Sequence, residues 1–453
     1  MSIAEVVAAR LRSAEFDQWM AGAARVGFCS NPVRLTGSSA TMNPQTGEVI
    51  REFVAETQPD GISYTRCGNR RARRCESCSH EYKGDTWHMI MAGAAGGMKG
   101  VPDGVGEHPM AFVTLTAPSF GAVHSLAGSR RRGTCVHGKP RGCFCNHRDD
   151  DGLLGEPLCE ECYDYVGHVV WQYFAPELWR RFTIQLRRQL AYELGMTQKA
   201  AAEIVRVQFA KVAEFQRRGA VHFHAIIRLD GVSPTEQFPP APDEVTETCL
   251  IAAVQKSVRR VAYEAPAVRG EASTRALRWG AQIDVQPIVR REGLDGTLSD
   301  RAVAAYIAKY ATKATEELSN GSRDRPHVRT IKATAELIAE GNGPESPYAL
   351  LGKWSHMLGF RGHFSSKSRR YSVTLGSLRG ARRAWRLART VEQARENGYD
   401  VEEVLVVGSW SFAGMGWRNE GDRALAIEAA RAAREWRDAR RVRFESQKGE
   451  GGA

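Results

Sequence analysis

Gly219-Ala220-Val221-His222-Phe223-His224-Ala225-Ile226-Ile227-Arg228 is the stretch on which the reading of this chain turns. It alternates, is rich in β-branched residues and is bounded by turn residues, so it reads as a β-strand. Side chains two apart on a strand share a face. His222 and His224 therefore project together, while Val221, Phe223, Ala225 and Ile227 point into a core. Two imidazoles side by side are half of a site for a divalent metal. Taken alone, such a pair is more often two satisfied sheet histidines. The rest of the chain decides.

Immediately upstream, Val205 to Phe215 reads as the preceding strand, followed by Gln216-Arg217-Arg218-Gly219. A three-residue hairpin loop with Gly in the left-handed position fits. It would set Glu214 opposite His222, on the histidine face. A two-residue loop would instead pair Glu214 with Val221, and Glu214 would then be a solvated turn carboxylate. Glu plus two His binds Zn²⁺ best on affinity, but availability and an open site favour Mg²⁺ or Mn²⁺. An incomplete ligand set leaves room for a phosphate oxygen, which the metal would polarise.

Downstream, Ser299 to Leu318 is a predicted helix with Ser299 or Asp300 at its cap. Tyr306 and Tyr310 are four apart and share a face, with Lys309 and Lys313 each three residues further on. A phenol has a pKa of about 10 and needs a nearby cation to attack as phenolate. Its attack on a phosphodiester would store the bond as a phosphotyrosine. The plainer reading places both tyrosines in a core stripe with Val303, Ile307, Ala311 and Leu318.

The chain has 453 residues, room for two or three domains, and a net charge of +11 that favours a polyanionic partner such as nucleic acid. No secretory signal and no run of 18 apolar residues is visible, so a cytoplasmic, membrane-free protein is expected. No G-x-x-x-x-G-K-[ST] loop is present, so no ATPase motor is encoded. In a reducing compartment the 10 cysteines read first as metal ligands. Cys75-x-x-Cys78 and Cys159-x-x-Cys162 have zinc-knuckle spacing. Cys29 and Cys67 can complete the first set; Cys135, His137, Cys143 and Cys145 can join the second. One or two structural zinc ions are expected, and reduced buried cysteines are the alternative.

Elsewhere, helices are predicted over residues 1–25, up to Met91, Pro176 to Leu194, Leu250 to Glu264 and Asp422 to Phe444. Strands are predicted at Glu48 to Glu56, Phe112 to Pro118 and Gln282 to Val289. Residues 320–347 read as a polar connection. Arg70 and Arg73 lie between zinc-candidate cysteines. Lys367, Arg369, Arg370, Arg379, Arg382 and Arg383 are interleaved with Phe360, Phe364 and Tyr371, a mixture suited to single-stranded DNA.

Phe112-Val-Thr-Leu-Thr116, Val221-His-Phe-His224 and Ala305-Tyr-Ile-Ala-Lys-Tyr-Ala-Thr-Lys313 occur in that order. The combination resembles the HUH endonucleases, and the two-tyrosine rolling-circle replication initiators among them. Asn31-Pro-Val-Arg-Leu35, Pro157-Leu-Cys-Glu-Glu-Cys-Tyr163 and Leu358 to Ser372 are similar to the RepSA-type initiators of actinobacterial plasmids and integrative elements. The resemblance implies an α+β fold with an antiparallel sheet of about five strands and packed helices. It implies His222, His224 and Glu214 as ligands of Mg²⁺ or Mn²⁺, and Tyr306 or Tyr310 as nucleophile. It implies nicking of one strand at a plasmid origin; without an ATPase motor of its own, the protein would need a host helicase and DNA polymerase. The expected organisation is a zinc-binding region at 25–100, a nuclease domain at 105–320 with a cysteine-rich insertion at 130–165, and a basic, helical DNA-binding region at 321–453. A two-tyrosine transposase and a non-enzymatic zinc regulator are the rival readings.

Overall fold

The computed structural model describes residues 1–128, 131–289, 298–299, 303, 306–307 and 325–450. The fold is α+β with antiparallel sheets. Two compact units are formed: Met1–Asp85 together with Leu375–Ala453, and Thr86–Thr374.

In the first unit, β1 (Val33–Met42) lies between β2 (Val49–Val54) and a strand from the far end of the chain, β12 (Leu405–Met415); β3 (Ser63–Thr65) also pairs with β1. The β1–β12 register runs from Val33↔Met415 to Met42↔Leu405. β2 and β3 pair along only parts of β1, and the distant strand β12 supplies the fourth strand, paired along its whole length. This division does not coincide with the three segments expected from the sequence, because residues from Leu375 onward complete the N-terminal unit. Trp19, Ala23, Trp417 and Ala426 form its core around Cys29, Cys75 and Cys78.

The second unit holds β4 (Met110–Leu115), β5 (Val205–Phe215), β6 (Val221–Gly231), β7 (Tyr263–Ala265), β8 (Arg275–Leu277), β9 (Ile283–Val289), β10 (Leu298–Ser299) and β11 (Ser365–Lys367). Its main sheet has the order β10-β9-β4-β6-β5-β11. Every pair is antiparallel except β10 on β9. The sheet therefore has six strands rather than about five, the extra one being the two-residue β10. Of the two residues expected as a helix cap, Ser299 lies in that strand and Asp300 lies outside the described residues.

Both faces of the sheet are covered. Ala213, Phe215, Phe223, Ala225 and Ile227 face the large core that includes the helices Tyr165–Glu193 and Glu247–Arg260. On the opposite face, Met110, Phe112, Val212 and Ile226 pack with Ile90, Met91, Val303, Ile307 and Tyr371. A one-residue slip would turn each strand inside out, so double-sided packing fixes the register.

Helices depart from the sequence reading in several places: the one expected at Leu250 to Glu264 is Glu247–Arg260, with Tyr263 and Glu264 in β7, and the helix Leu375–Glu396 was not expected. Tyr165–Glu193 starts well before Pro176, capped by Asp164, whose carboxylate accepts from the Gly167 amide at 2.7 Å. Pro176 is internal; burial of Trp171, Phe174, Ala175, Leu178 and Trp179 around it outweighs the hydrogen bond that proline removes. Residues read as a polar connection form the helix Pro326–Asn342, with Pro326 in its first turn and Val328, Ile331, Ala335 and Ile338 buried at helical spacing.

Candidate metal and tyrosine site

The β5–β6 hairpin builds the centre of the site. Gln216 and Ala220 are joined by a 2.9 Å backbone bond, leaving Arg217-Arg218-Gly219 as the loop, and Gly219 has φ 78°. A left-handed residue of this kind closes a three-residue hairpin. Glu214 consequently stands opposite His222. Glu214 Oε2 lies 3.1 Å from His222 Nε2 and 3.4 Å from His224 Nε2. The three donor atoms lie within 4.8 Å of one another.

The electrostatics favour a cation. Burial alone would raise the Glu214 carboxyl, but hydrogen bonds to His222 and His224 outweigh it, and the net shift is downward. Burial holds the His224 imidazole below its usual range despite the neighbouring carboxylate. An ionised carboxylate beside a neutral imidazole is the protonation state that a divalent metal requires. The donor set therefore fits such an ion. His224 Nδ1 lies 3.0 Å from Thr114 Oγ1, which leaves Nε2 on the Glu214 side.

Phe112 stacks on His224 at 5.6 Å. Tyr306 stands edge-on to both rings, 5.4 Å from His224 and 5.8 Å from Phe112. Its neighbours Val303 and Ile307 are buried in the core on this face, whereas Tyr306 is 40% exposed. The core stripe thus takes Val303 and Ile307 and leaves Tyr306 at its edge, beside the histidines. Lys309, Tyr310 and Lys313 lie outside the described residues.

Asp284 was not read from the sequence. It pairs with Thr114 across β4–β9, in the same row as His224, and its charge favours the protonated form of that imidazole. The alternation Ile283-Asp284-Val285-Gln286 was the available signal.

Cysteine and histidine side chains gather into three further groups among the described residues, each with the donors to hold structural zinc. Cys29, Cys67, Cys75 and Cys78 converge in the first unit with neighbouring sulfurs 3.5–3.6 Å apart. Backbone N–H groups of Cys67 and Cys78 point at the Cys29 and Cys75 sulfurs, at 3.4 and 3.5 Å. In the second unit, Cys135, Cys159 and Cys162 are joined by His137. Cys143 does not join them: it meets Cys145, His124 and His147. The single pooled cluster expected at 135–162 is thus two clusters, because the turn holding Cys143 and Cys145 folds back on His124. The spacing Cys143-x-Cys145-x-His147 was legible as a signal for the first histidine; His124, distant in sequence, was not.

The basic residues separate. Arg70, Arg73, Arg369 and Arg370 are exposed. Lys367 is half-buried, its ammonium donates to the Ser372 carbonyl at 3.1 Å, and burial pushes it down to about 8. Tyr371 is fully buried, so the expectation of a base-stacking surface there is overturned. Its ring fills the space that Gly93 leaves by lacking a Cβ, with the Arg228 guanidinium 5.3 Å from its centre and its hydroxyl donating to the Ile90 carbonyl at 3.2 Å. Phe360 and Phe364 are core residues too. Arg379, Arg382, Arg383 and Arg386 instead line a cavity of about 870 Å³ in the first unit, together with Arg25 and Arg66.

Comparison with known proteins places the chain among replication initiators. The family described as "RepSA: Replication initiator protein, pSAM2" matches residues 15–431, and the chain belongs to it. A replication initiator protein of Streptomyces ambofaciens is 40% identical over 432 residues, spanning 92% of this chain and 90% of the relative. No solved structure matches the chain.

Proposed function

We propose that the protein is an HUH-type endonuclease that starts rolling-circle replication of a plasmid by nicking one strand of its origin, with Tyr306 as the first nucleophile. The observation that carries this reading is the position of the Tyr306 ring, 5.4 Å from His224 and exposed beside the Glu214-His222-His224 group. Family membership supplies the replication role.

Divalent Mg²⁺ or Mn²⁺, when held by Glu214, His222 and His224, would polarise the scissile phosphate. The Tyr306 hydroxyl loses its proton and forms the new bond to phosphorus. The bond to the 3′ oxygen breaks, and that oxygen takes up a proton. The products are a 5′-phosphotyrosine and a free 3′ hydroxyl from which a host polymerase extends behind a host helicase. Tyr310 then serves the second transfer that closes the displaced strand, with Lys309 and Lys313 lowering the cost of each phenolate. The exposed Arg70, Arg73, Arg369 and Arg370 hold DNA phosphates, and structural zinc holds the cysteine-rich segments.

No helix among the described residues is long and apolar enough to cross a membrane. The test is incubation with Mn²⁺ and single-stranded origin DNA, followed by peptide mapping of the adduct. A covalent adduct on the peptide bearing Tyr306 is expected. Absence of any adduct from the wild-type protein would falsify the mechanism.

A further inference from the structure

Residues 131–153 have little apolar material to hold them. Val136, Phe144 and Leu153 are all exposed, with Val136 at 89%. A segment without a core needs another staple. We infer that His124, Cys143, Cys145 and His147 bind a zinc ion of their own, additional to the ions at the Cys29 and Cys135 groups, and that this ion anchors the ladder which holds Arg325.

The donor geometry carries the first half. His124 Nδ1 lies 3.0 Å from His147 Nε2 and 3.7 Å from Cys143 Sγ, and all four donor atoms lie within 4.8 Å of one another. Tetrahedral ligands about 2.0–2.3 Å from a zinc ion are necessarily separated by roughly 3.3–3.8 Å. A proton can bridge His124 Nδ1 and His147 Nε2, but a single cation among two imidazole nitrogens and two sulfurs satisfies all four lone pairs at once. The remaining nitrogen of His147, Nδ1, lies 2.6 Å from Asp151 Oδ2. A carboxylate behind a metal-binding histidine fixes its tautomer and raises its basicity. Asp151 is itself held, its other oxygen accepting from the Leu153 amide at 2.8 Å.

The second half follows from the backbone around His124. Its amide donates to the Glu156 carbonyl and its carbonyl accepts from Gly155, both at 2.9 Å. The Glu156 carboxylate accepts from Arg325 Nε at 2.7 Å and from the His327 amide at 3.2 Å. Arg325 also donates to the carbonyls of Leu154 and Arg217, each at 2.8 Å. Arg217 belongs to the hairpin loop that places Glu214 opposite His222. The ion would thus brace both the hairpin and the start of the helix Pro326–Asn342. Zinc binding by this group is independent of whether the protein nicks DNA.

The measurement is the zinc content of the full-length protein, with zinc-edge X-ray absorption for the ligands. In a His222→Ala/His224→Ala background, which removes the Glu214 group as a competing zinc site, three zinc ions per chain are expected, with three histidine nitrogens among the twelve donors. Two ions per chain in that background overturn the inference. Added to it, His124→Ala/His147→Ala should lose one ion and speed hydrogen exchange at the His327 amide, whereas His147→Cys should keep all three. Retention of three ions by the His124→Ala/His147→Ala variant overturns the assignment, and unchanged exchange at His327 overturns the bracing role. Asp151→Asn leaves all four donors in place, so it is informative even where the double variant does not fold. It should surrender one zinc to a competing chelator about 10–100-fold more readily than wild type. Unaltered retention counts against the ligand role of His147.

Discussion

Thr114 Oγ1 lies 3.0 Å from His224 Nδ1, across the β4–β6 pair whose register sets the two residues opposite each other. The contact occupies one ring nitrogen and commits the other to the side of Glu214. A strand motif more than 100 residues upstream thereby selects the nitrogen that faces an incoming metal. Thr114→Val keeps the shape and removes the partner. Loss of such an orienting contact lowers metal affinity about 10–100-fold. Calorimetric titration with Mn²⁺ should show this with the circular dichroism spectrum unchanged; equal affinity would remove Thr114 from the site.

Glu214→Gln preserves size and deletes the charge. Because Glu214 favours the protonated form of His224, the variant should shift the His224 titration to still lower pH in metal-free protein, as followed by NMR. Mn²⁺ affinity should fall more than about tenfold. An upward shift of His224 would mean that the carboxylate is not its partner in solution.

Tyr306→Phe should bind Mn²⁺ as wild type does and lose the first covalent adduct, a drop of about two orders of magnitude or more in cleavage rate. Tyr310→Phe should still form that adduct and fail to complete strand transfer. Adduct on Tyr310 in wild-type protein reverses the two roles.

Lys211 is wholly buried, its ammonium 4.2 Å from the Phe223 ring centre and donating to the His363 carbonyl at 3.3 Å. Burial pushes it down to about 7. In the unfolded chain it titrates near 10.4, so between these limits the unfolded state binds the extra proton and stability rises with pH. Below pH 7 both states are charged and the penalty is complete. Lys211→Met should therefore be more stable than wild type at pH 6.5, by about 2–4 kcal/mol, with the gap closing toward pH 10. Urea unfolding at pH 6.5 and 9.5 measures it; a constant difference contradicts the assignment.

Arg228 and Asp230 are buried together and joined at 2.6 and 2.8 Å, and His108 reaches the same carboxylate at 2.8 Å. Asp230→Ala strands a buried guanidinium, which costs about 3–5 kcal/mol. Thermal and urea unfolding should show that loss, whereas exchanging the exposed Arg370 for Ala should change stability by less than about 0.5 kcal/mol.

The sequence carried local information well. The β5 and β6 strands and the register that joins Glu214 to His222 were readable because hairpin chemistry and period-two alternation are short-range. The first cysteine group was readable from knuckle spacing plus two leftover residues. What escaped depends on long-range packing. Tyr371 looks like a base-stacking residue until Gly93, remote in sequence, is seen to open a slot for its ring. The helix read as starting at Pro176 begins at Tyr165, because residues on both sides of the proline are buried. His124 is recruited by a fold-back that no spacing rule contains.

Pairing of Val33 with Met415 also imposes an order on synthesis. The Thr86–Thr374 unit can close while translation continues, but β1 has no long partner until the ribosome has passed Met415. A nascent chain arrested before β12 would carry a finished candidate catalytic sheet and an open, aggregation-prone edge on β1. The first unit to be translated is thus the last to be completed, so only a full-length product matures both halves.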